Sequence, residues 1–213
     1  YRHSEPKRVF FFFFDGPTKQ VTRYILDLLK QENIKASFFV LGTRVESNPA
    51  LVKREYEEGH FIGNHGYTHK YSSIYSSIDS VMNEYNKTNE AIKKAVGNDK
   101  FNSLVFRFPG GSVGGTYNDL KKEAERQLEE KGIGSVDWNA LTNDAAGART
   151  KEKILKNFYD TIQGKTSIVL LMHDAADKIL TYETLPEIIS YLKENGYEFK
   201  TMYDAIGRNI EIE

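Results

Sequence analysis

Short apolar runs alternate with amphipathic segments along the whole chain. Val9–Phe14 is apolar and short, which predicts a buried strand, and the next segment, residues 20–32, keeps Val21, Ile25 and Leu29 at helical spacing. The same alternation predicts strands at residues 36–41, 60–64, 104–108, 134–138, 167–173 and 197–201, and helices at residues 48–58, 79–96, 117–131, 151–163 and 184–195 before a short last helix. About seven strands with helices between them indicate an α/β fold with a parallel sheet or barrel.

Prolines and glycines mark the ends of two of these helices. Pro49 and Pro186 lie near the expected first turns, where the N–H that proline lacks has no partner in the helix. Gly59 and Gly196 follow the expected last turns and stop the helices there. Both helices are therefore expected to be well bounded.

Length and composition restrict the classes of function. At 213 residues the chain is long enough for one domain with a full-sized core, and we predict a linker remnant at residues 1–7 and a single domain over residues 8–213. Lys and Arg total 29 against 30 Asp and Glu, so bulk charge recruits neither nucleic acid nor an anionic membrane. The chain has no cysteine, which excludes disulfides, thiolate ligands and cysteine nucleophiles. It also has no apolar run of 18 residues that would predict a membrane span.

Polar residues follow the predicted strands. In a barrel built from parallel strands, functional residues collect at the carboxyl ends of those strands. The residues found at such positions are Asp15, His65, His69, Arg107, Asp144 and His173. We therefore expect one site at this end of the barrel.

The histidines suggest a metal. His65 and His69 are four residues apart, a spacing at which two imidazoles can share one ion, and Asp15 supplies a third ligand. Two histidines and one carboxylate leave a position open for water, as in catalytic zinc sites, although Fe, Co, Ni and Mn accept the same ligands. The alternative is that Asp15 only caps the following helix and that both histidines are surface groups.

Four motifs then occur in order along the chain. They are residues 13–17 (Phe-Phe-Asp-Gly-Pro), 64–69 (Asn-His-Gly-Tyr-Thr-His), 107–111 (Arg-Phe-Pro-Gly-Gly) and 170–174 (Leu-Leu-Met-His-Asp). Together they resemble the polysaccharide deacetylase family (NodB-homology, carbohydrate esterases of family four), and in particular its peptidoglycan and chitooligosaccharide N-acetylglucosamine deacetylases. The resemblance covers about residues 8–206.

The resemblance implies both fold and chemistry. The implied fold is a distorted (β/α) barrel of about seven parallel strands, similar to a TIM barrel. The implied reaction is metal-dependent hydrolysis of acetyl groups on the N-acetylated sugars of a cell-wall polysaccharide or oligosaccharide, with Zn²⁺ as the first choice of ion and Co²⁺, Ni²⁺, Fe²⁺ or Mn²⁺ as alternatives. The implied location is extracellular or at a bacterial cell surface.

The family's metal ligands and its general acid correspond to residues that were already identified at the strand ends. Asp15, His65 and His69 resemble the metal ligands, and His173 resembles the general acid that protonates the departing amine. Arg107 resembles the arginine that orients the catalytic base. For the carboxylate that charges His173, the resemblance points to Asp144 in the segment after Trp138, with Asp137 as the second choice.

The remaining implied roles concern the substrate. The backbone N–H of Gly110 lies where the family has an oxyanion donor, although a tyrosine is more usual at this position. Leu171 resembles the residue that walls the acetyl-methyl pocket, and Trp138 and Tyr67 are expected to contact the sugar. For Tyr67, as for Tyr71 and Tyr75, packing against other residues is the alternative to stacking on sugars.

Phe14 departs from the family at the catalytic base. The family has an aspartate there, whereas phenylalanine accepts no proton and is expected to leave Arg107 without its usual partner. Three interpretations remain open: a slow enzyme that uses another base or none, a glycan-binding domain without catalysis, or an altered residue in a normal enzyme. An O-acetyl esterase acting on a xylan-type polymer is a further alternative, since an ester needs less acid assistance.

Overall fold

The fold is a curved sheet of parallel strands covered by helices, and the computed structural model describes residues 5–207. The strands are β1 (Arg8–Phe14), β2 (Ser37–Val40), β3 (Phe61–Asn64), β4 (Val105–Phe106), β5 (Gly134–Ser135), β6 (Ala140–Leu141), β7 (Ser167–His173) and β8 (Glu198–Lys200). The helices are α1 (Thr22–Gln31), α2 (Gly42–Ser47), α3 (Pro49–Glu57), α4 (Tyr71–Ile74), α5 (Ile78–Val96), α6 (Asn118–Glu130), α7 (Lys151–Ile162), α8 (Ile179–Glu194) and α9 (Met202–Ile206).

The strand order confirms the predicted fold class. Seven strands follow the order β5-β4-β3-β2-β1-β7-β6, and β8 pairs with the first residues of β1. Every pairing is parallel. Within residues 5–207, β5 and β6 end the path and do not pair with each other, so the barrel is open on that side.

The phenylalanine run of β1 separates two parts of the core. Side chains alternate along a strand, and a parallel sheet covered by helices is buried on both faces. The odd-numbered side chains from Val9 to Phe13 pack in the cluster beneath the helices. The even-numbered side chains from Phe10 to Phe14 pack inside the barrel with Phe39. Phe14 is therefore an interior residue at the end of the strand.

Three helices differ from the sequence prediction. α2 and α4 have six and four residues, too few to show the repeated apolar spacing that predicts a helix. α8 begins at Ile179 rather than at residue 184, so Pro186 lies inside the helix and not in its first turn. The prediction was wrong because the buried face of α8, from Thr181 to Leu192, outweighs the one backbone hydrogen bond that proline removes.

The strand predicted at residues 134–138 is confirmed only at Gly134–Ser135 (β5), and β6 at Ala140–Leu141 was not predicted. β5 pairs with β4, and β6 pairs with β7 on the other side of the opening. Between them the chain leaves the sheet, and Asp137 forms an ion pair with Arg107 at 2.7 Å. Apolar periodicity cannot show this contact, because Asp137 and Arg107 are distant in sequence.

The ends of the predicted domain lie partly outside the described residues. The linker expected at residues 1–7 is described only from Glu5, and the domain expected to end at residue 213 is described as far as Gly207. A single domain over residues 8–213 therefore stays a prediction. Within residues 5–207, no helix has the length and apolar character needed to cross a bilayer.

The carboxyl ends of the strands bring the polar residues to one edge of the sheet. Asp15 follows β1, His65 follows β3, Arg107 follows β4, and His173 is the last residue of β7. These four strands belong to the continuous run β4-β3-β2-β1-β7 of the sheet. The fold thus gathers residues that are far apart in sequence.

Candidate active site

Asp15 lies in a tight turn directly after β1. Its φ of +73° is a left-handed conformation that few residues other than glycine adopt, so surrounding contacts must hold it. The N–H of Gly16 donates to Asp174 Oδ1 at 3.1 Å, and the hydroxyl of Thr22 donates to Asp174 Oδ2 at 2.7 Å. A Cβ at Gly16 would come within 2.1 Å of Asp174 Oδ2, so only glycine fits. Asp174 therefore anchors the turn that presents Asp15.

The imidazoles of His65 and His69 lie next to the carboxylate of Asp15. Their Nε2 atoms are 3.3 Å and 3.5 Å from Asp15 Oδ1. One ligand atom from each residue lies within 4.8 Å of the others, close enough to surround one ion. Asp15 Oδ1 is buried and has no hydrogen-bond partner among residues 5–207, which is unusual for a buried polar atom. A divalent cation fits these three groups and would supply that partner.

Charge and burial keep these groups in forms that bind a cation. Burial works to raise the pKa of Asp15, but the contacts with His65, His173 and His69 outweigh it and hold the pKa below its ordinary value. Burial lowers the pKa of His65. Nδ1 of His65 donates to the carbonyl of Arg107 at 2.6 Å, and a carbonyl only accepts, so Nε2 carries the free lone pair. His65 thus presents a neutral ligand atom to the anionic Asp15.

Glu84, on α5, holds the loop that carries the two histidines. Its carboxylate accepts from the backbone N–H of Tyr67 at 2.9 Å and of Thr68 at 3.1 Å. The hydroxyls of Thr68 and Ser73 donate to it at 2.6 Å and 3.3 Å. Four donors satisfy this buried carboxylate and fix the backbone just before His69, whose φ of +59° needs such support.

Glu84→Gln is expected to weaken Zn²⁺ binding by about 10–100-fold, the usual effect of losing a group that supports a ligand. Glutamine keeps the size of the side chain, but its amide nitrogen cannot accept hydrogen bonds from the loop. Competition with a chelator measures the affinity, and a melting curve verifies folding. Glu90→Gln is the matched control, because Glu90 lies on the same helix with 69% of its side chain exposed. Equal affinity in folded Glu84→Gln would reject this supporting role.

Asp144 holds His173 at the end of β7. Nδ1 of His173 lies 2.8 Å from Asp144 Oδ1, and the backbone N–H of His173 donates to Asp144 Oδ2 at 2.8 Å. The hydroxyl of Thr181 donates to the same Oδ2 at 2.7 Å. An ionised carboxylate only accepts hydrogen bonds, so Nδ1 carries the proton, and Nε2 takes no part in this pair. Of the two candidate aspartates, the structure pairs Asp144 with His173 and Asp137 with Arg107.

The pKa of His173 reflects this pairing. Burial works to lower the pKa, but the hydrogen bond and charge of Asp144 outweigh it, with Asp15 and Asp174 adding to the effect. The pKa is therefore raised above the ordinary 6.5. The protonated imidazole persists to higher pH than usual and is lost as the pH rises through the raised pKa.

Asp144→Asn is expected to lower the pKa of His173, because the charge disappears while burial remains. Any rate that needs protonated His173 then declines at a lower pH than in the wild type. NMR titration of the histidine rings in metal-free protein measures the shift without reference to activity. His60 is an internal control, since burial lowers its pKa to about 3 and keeps it neutral in both proteins. An unchanged titration of His173 would be inconsistent with the role given to Asp144.

Phe14 fills the space between the cluster and His173. Its side chain is 2% exposed and stacks on Phe39, with 4.8 Å between ring centroids. The ring centroid lies 5.0 Å from that of His65 and 6.0 Å from that of His173. The position at which the family has its base is thus central to the site and occupied by a group that takes no proton.

Arg107 pairs with Asp137 in place of the aspartate that the family has at position 14. Its guanidinium forms an ion pair with Asp137 at 2.7 Å, lies 4.3 Å from the ring centroid of Trp138, and is 5.9 Å from that of Phe14. Asp137, which the sequence offered only as a partner for His173, supplies the carboxylate. Burial lowers the pKa of Arg107 to about 10 against the pull of Asp137, so the group stays charged at neutral pH.

Gly110 has a free backbone donor. Its N–H makes no hydrogen bond to any group within residues 5–207, and the residue is exposed with a φ of +78°. The neighbouring Gly111 N–H, in contrast, donates to the carbonyl of Phe108 at 2.9 Å. Gly110 is therefore able to donate to a bound group.

The three predicted substrate-binding residues lie in different places. Leu171 packs at the partly open inner face of the barrel, two residues before His173. Trp138 is half-buried against Arg107. Tyr67 lines a groove between α2 and α5, where its hydroxyl donates to Glu46 at 2.8 Å. Contact of these residues with a sugar stays a prediction.

Sequence reasoning missed two residues that support the site, Glu84 and Asp174. Glu84 falls on the buried stripe of α5 between Val81 and Thr88. A charged residue on an apolar stripe is a signal that could have identified it. Asp174 directly follows His173, and only its contact with Gly16 across the sheet reveals what it does.

Known proteins are similar to this chain in sequence and in fold. The family model described as polysaccharide deacetylase matches residues 2–131, more than half of the chain. The peptidoglycan-N-acetylglucosamine deacetylase PgdA of Listeria monocytogenes is 35% identical over 97% of this chain, which spans only 40% of the length of that relative.

Two solved structures extend the similarity. A CE4 esterase of Streptococcus mutans matches with a TM-score of 0.84 at 32% identity, covering 92% of this chain and 86% of that one. A mutant of BA3943, described as a CE4 family pseudoenzyme with restored enzymatic activity, matches with a TM-score of 0.77 at 26% identity, covering 95% of this chain and 68% of that one. By its family-model match, its sequence identity and its fold, the chain belongs to the polysaccharide deacetylase family.

Proposed function

We propose that the chain is a metal-dependent hydrolase that removes acetyl groups from N-acetylated sugars of a cell-wall polysaccharide, either peptidoglycan or a chitin-like polymer. The observation that carries the proposal is the Asp15, His65 and His69 cluster at the same edge of the sheet as the His173–Asp144 pair. An extracellular or cell-surface location is part of the proposal, because a cell-wall substrate lies there.

The ion would be held by Asp15, His65 and His69. The orphaned Asp15 Oδ1 and the free Nε2 of His65 favour a cation at this point. Zn²⁺ is the expected ion, and Co²⁺, Ni²⁺, Fe²⁺ and Mn²⁺ suit the same nitrogen and oxygen ligands. When bound, such an ion supplies Lewis-acid activation of water and of the acetyl carbonyl.

The remaining residues act on the substrate itself. His173, protonated and held by Asp144, gives its Nε2 proton to the amide nitrogen as the C–N bond breaks, because an amine leaves poorly unless it is protonated. The N–H of Gly110 donates to the acetyl oxygen as negative charge develops there. Leu171 packs against the acetyl methyl group, and Trp138 and Tyr67 contact the sugar chain.

Phe14 favours a second candidate, a glycan-binding module without catalysis. At the position of the base the chain has the buried ring of Phe14. The carboxylate of Asp137, which lies close by, forms an ion pair with Arg107. BA3943 is described as a CE4 family pseudoenzyme whose mutant has restored enzymatic activity, so the family includes a pseudoenzyme. The hydrolase remains the first proposal, because the cluster and the His173–Asp144 pair are both complete.

Metal analysis and acetate release from N-acetylglucosamine oligomers test the two candidates. The hydrolase is expected to contain metal and to release acetate slowly with added Zn²⁺ or Co²⁺. Saturable oligosaccharide binding with zero acetate release would select the binding module. Faster release from O-acetylated xylan than from N-acetylated oligomers would identify an O-acetyl esterase instead.

A further inference from the structure

A cavity opens beside the Asp15, His65 and His69 cluster, on the side that faces α2. It has a volume of about 350 Å³, at the lower end of the range for small-molecule sites. Two members of the cluster, Asp15 and His69, line it together with Thr43 and Arg44 of α2. A group that binds in this cavity therefore lies against the cluster itself.

Backbone hydrogen bonds fix the start of α2 to the turns that carry the proposed metal ligands. β2 lies between β1 and β3 in the sheet, so the chain that follows β2 leaves the sheet between those two turns. The N–H of Leu41 donates to the carbonyl of Gly16 at 3.1 Å, and the N–H of Gly42 donates to the carbonyl of Gly66 at 3.0 Å. Each of these carbonyls belongs to the residue directly after a proposed ligand. The first turn of α2 is thus held in a fixed position beside the cluster.

Arg44 is an exposed cation in this wall whose side chain is uncommitted. Among the described residues, Arg44 forms hydrogen bonds through its backbone alone, donating to Leu41 and accepting from Asn48. Its guanidinium has no ion pair or hydrogen bond with any of them. Arg54 and Arg107, in contrast, are both paired with carboxylates. The five N–H donors of Arg44 are therefore available to a ligand.

The charge of the cavity suits an anion. Asp15 is the only acidic residue among those that line it, and the proposed ion takes up the charge of this carboxylate. The charge of Arg44 then has no counterpart in the wall. A guanidinium matches the two oxygens of a carboxylate with parallel hydrogen bonds, which gives such pairs both strength and direction. A carboxylate is thus the group that this wall recognises best.

We propose that Arg44 binds a carboxylate of the glycan, and that it thereby selects peptidoglycan over a chitin-like polymer. The inference rests on the proposed glycan substrate. Peptidoglycan has carboxylates, either on the lactyl group of its muramic acid or on the peptide stems attached to that group, whereas a chitin-like polymer is neutral. Arg44 determines specificity and takes no part in the cleavage of the acetyl group.

Calorimetric binding of three oligosaccharides to the Zn²⁺-loaded full chain tests this role. The first is the neutral N-acetylglucosamine tetramer. The second is a tetrasaccharide of alternating N-acetylglucosamine and N-acetylmuramic acid with free lactyl carboxylates, and the third is the same tetrasaccharide with peptide stems. Arg44→Gln is expected to weaken binding of an anionic ligand by about tenfold, through loss of a hydrogen-bonded charge pair at an exposed site, and to leave the neutral tetramer unaffected. The anionic ligand that is weakened identifies the source of the carboxylate.

Two further variants control for charge and geometry. Arg23→Gln removes the same charge at an exposed arginine on α1 that does not line the cavity, and it is expected to bind all three ligands as the wild type does. Arg44→Lys keeps the charge but loses the planar fork, so a smaller loss of about threefold is expected for the anionic ligand. Because Arg44 is exposed, the advantage of the anionic ligand is expected to decline as the ionic strength rises.

The outcomes separate the role of Arg44 from the proposed function. Unchanged binding of both anionic ligands in folded Arg44→Gln, or an equal loss for the neutral tetramer, overturns carboxylate recognition alone. If Arg44→Gln weakens the binding of acetate but of no oligosaccharide, the group belongs to the reaction product and the proposal is also overturned. A wild-type protein that binds none of the three ligands overturns both the inference and the glycan substrate. Anionic ligands that bind through Arg44 without acetate release support the inference and reject only the hydrolytic activity.

Discussion

Phe14→Asp is expected to raise turnover on an N-acetylated oligosaccharide by about 10²–10⁴, the usual contribution of a positioned base. The ring that it replaces lies between His65 and His173 and 5.9 Å from the guanidinium of Arg107. A carboxylate attached at the same backbone position would meet the charge of Arg107, which keeps it ionised at neutral pH. It would thus place a proton acceptor at the centre of a site whose other groups are present.

Phe14→Asn is the matched control for this prediction. Asparagine has the shape of aspartate and leaves the same space, but it cannot act as a base. The measurement is kcat at saturating Zn²⁺ for the wild type and both variants, and only the aspartate variant is expected to gain. If folded, metal-loaded Phe14→Asp turns over no faster than Phe14→Asn, more than the base is missing, and the binding module becomes the better proposal.

Both substitutions are expected to lower stability. Phe14 is fully packed against Phe39 inside the barrel, and truncating a buried phenylalanine to alanine usually costs about 3–5 kcal/mol. The aspartate also places a charge in this space, which the positive charge of Arg107 offsets in part. The melting temperature is therefore expected to fall for both variants, and comparison between them removes the shared packing cost from the kinetic result.

Local pattern was sufficient to predict the frame of this fold. β1 is apolar from Val9 and β7 is apolar between Ser167 and His173, and both strands were predicted with errors of at most one residue. β1 is buried on both faces, as expected for a covered parallel sheet, whereas alternate residues of β7 are only partly buried. The polar residues that follow these apolar runs were therefore recognisable as candidates for the site. The parallel topology then made their convergence predictable, because the carboxyl ends of neighbouring strands meet at one edge.

Contacts between distant segments were not predictable in this way. Asp137 pairs with Arg107 and Glu84 holds the histidine loop, and in both cases the partner is fixed only by the folded chain. Sequence reasoning therefore identified the side chains that meet at the site and, in Asp144, one residue that holds them, but it missed Glu84, Asp174 and the pairing of Asp137 with Arg107.

His65→Ala is expected to remove most of the metal affinity, with a loss greater than the roughly 10–100-fold that follows from losing a supporting residue. His65 is one of only three protein ligands in the proposed cluster, and it is the one whose free nitrogen is fixed, by its bond to the Arg107 carbonyl. Its replacement also leaves Asp15 Oδ1 with one histidine rather than two. The measurement is metal content by elemental analysis after dialysis, followed by competition with a chelator. His69→Ala is expected to behave in the same way.

His173→Ala is the variant to compare with His65→Ala, because it tests proton donation rather than metal binding. His173 is directed by Asp144 and lies outside the group whose ligand atoms approach within 4.8 Å of one another, so its loss is expected to leave metal content unchanged while lowering acetate release. Opposite results in the two variants would support the proposed division between metal binding and proton donation. Loss of metal in His173→Ala, or full metal content in His65→Ala, would show that the proposed assignment of metal ligands is wrong. The roles would then have to be reassigned, beginning with the carboxylate of Asp15, because its orphaned oxygen is the observation that calls for a cation.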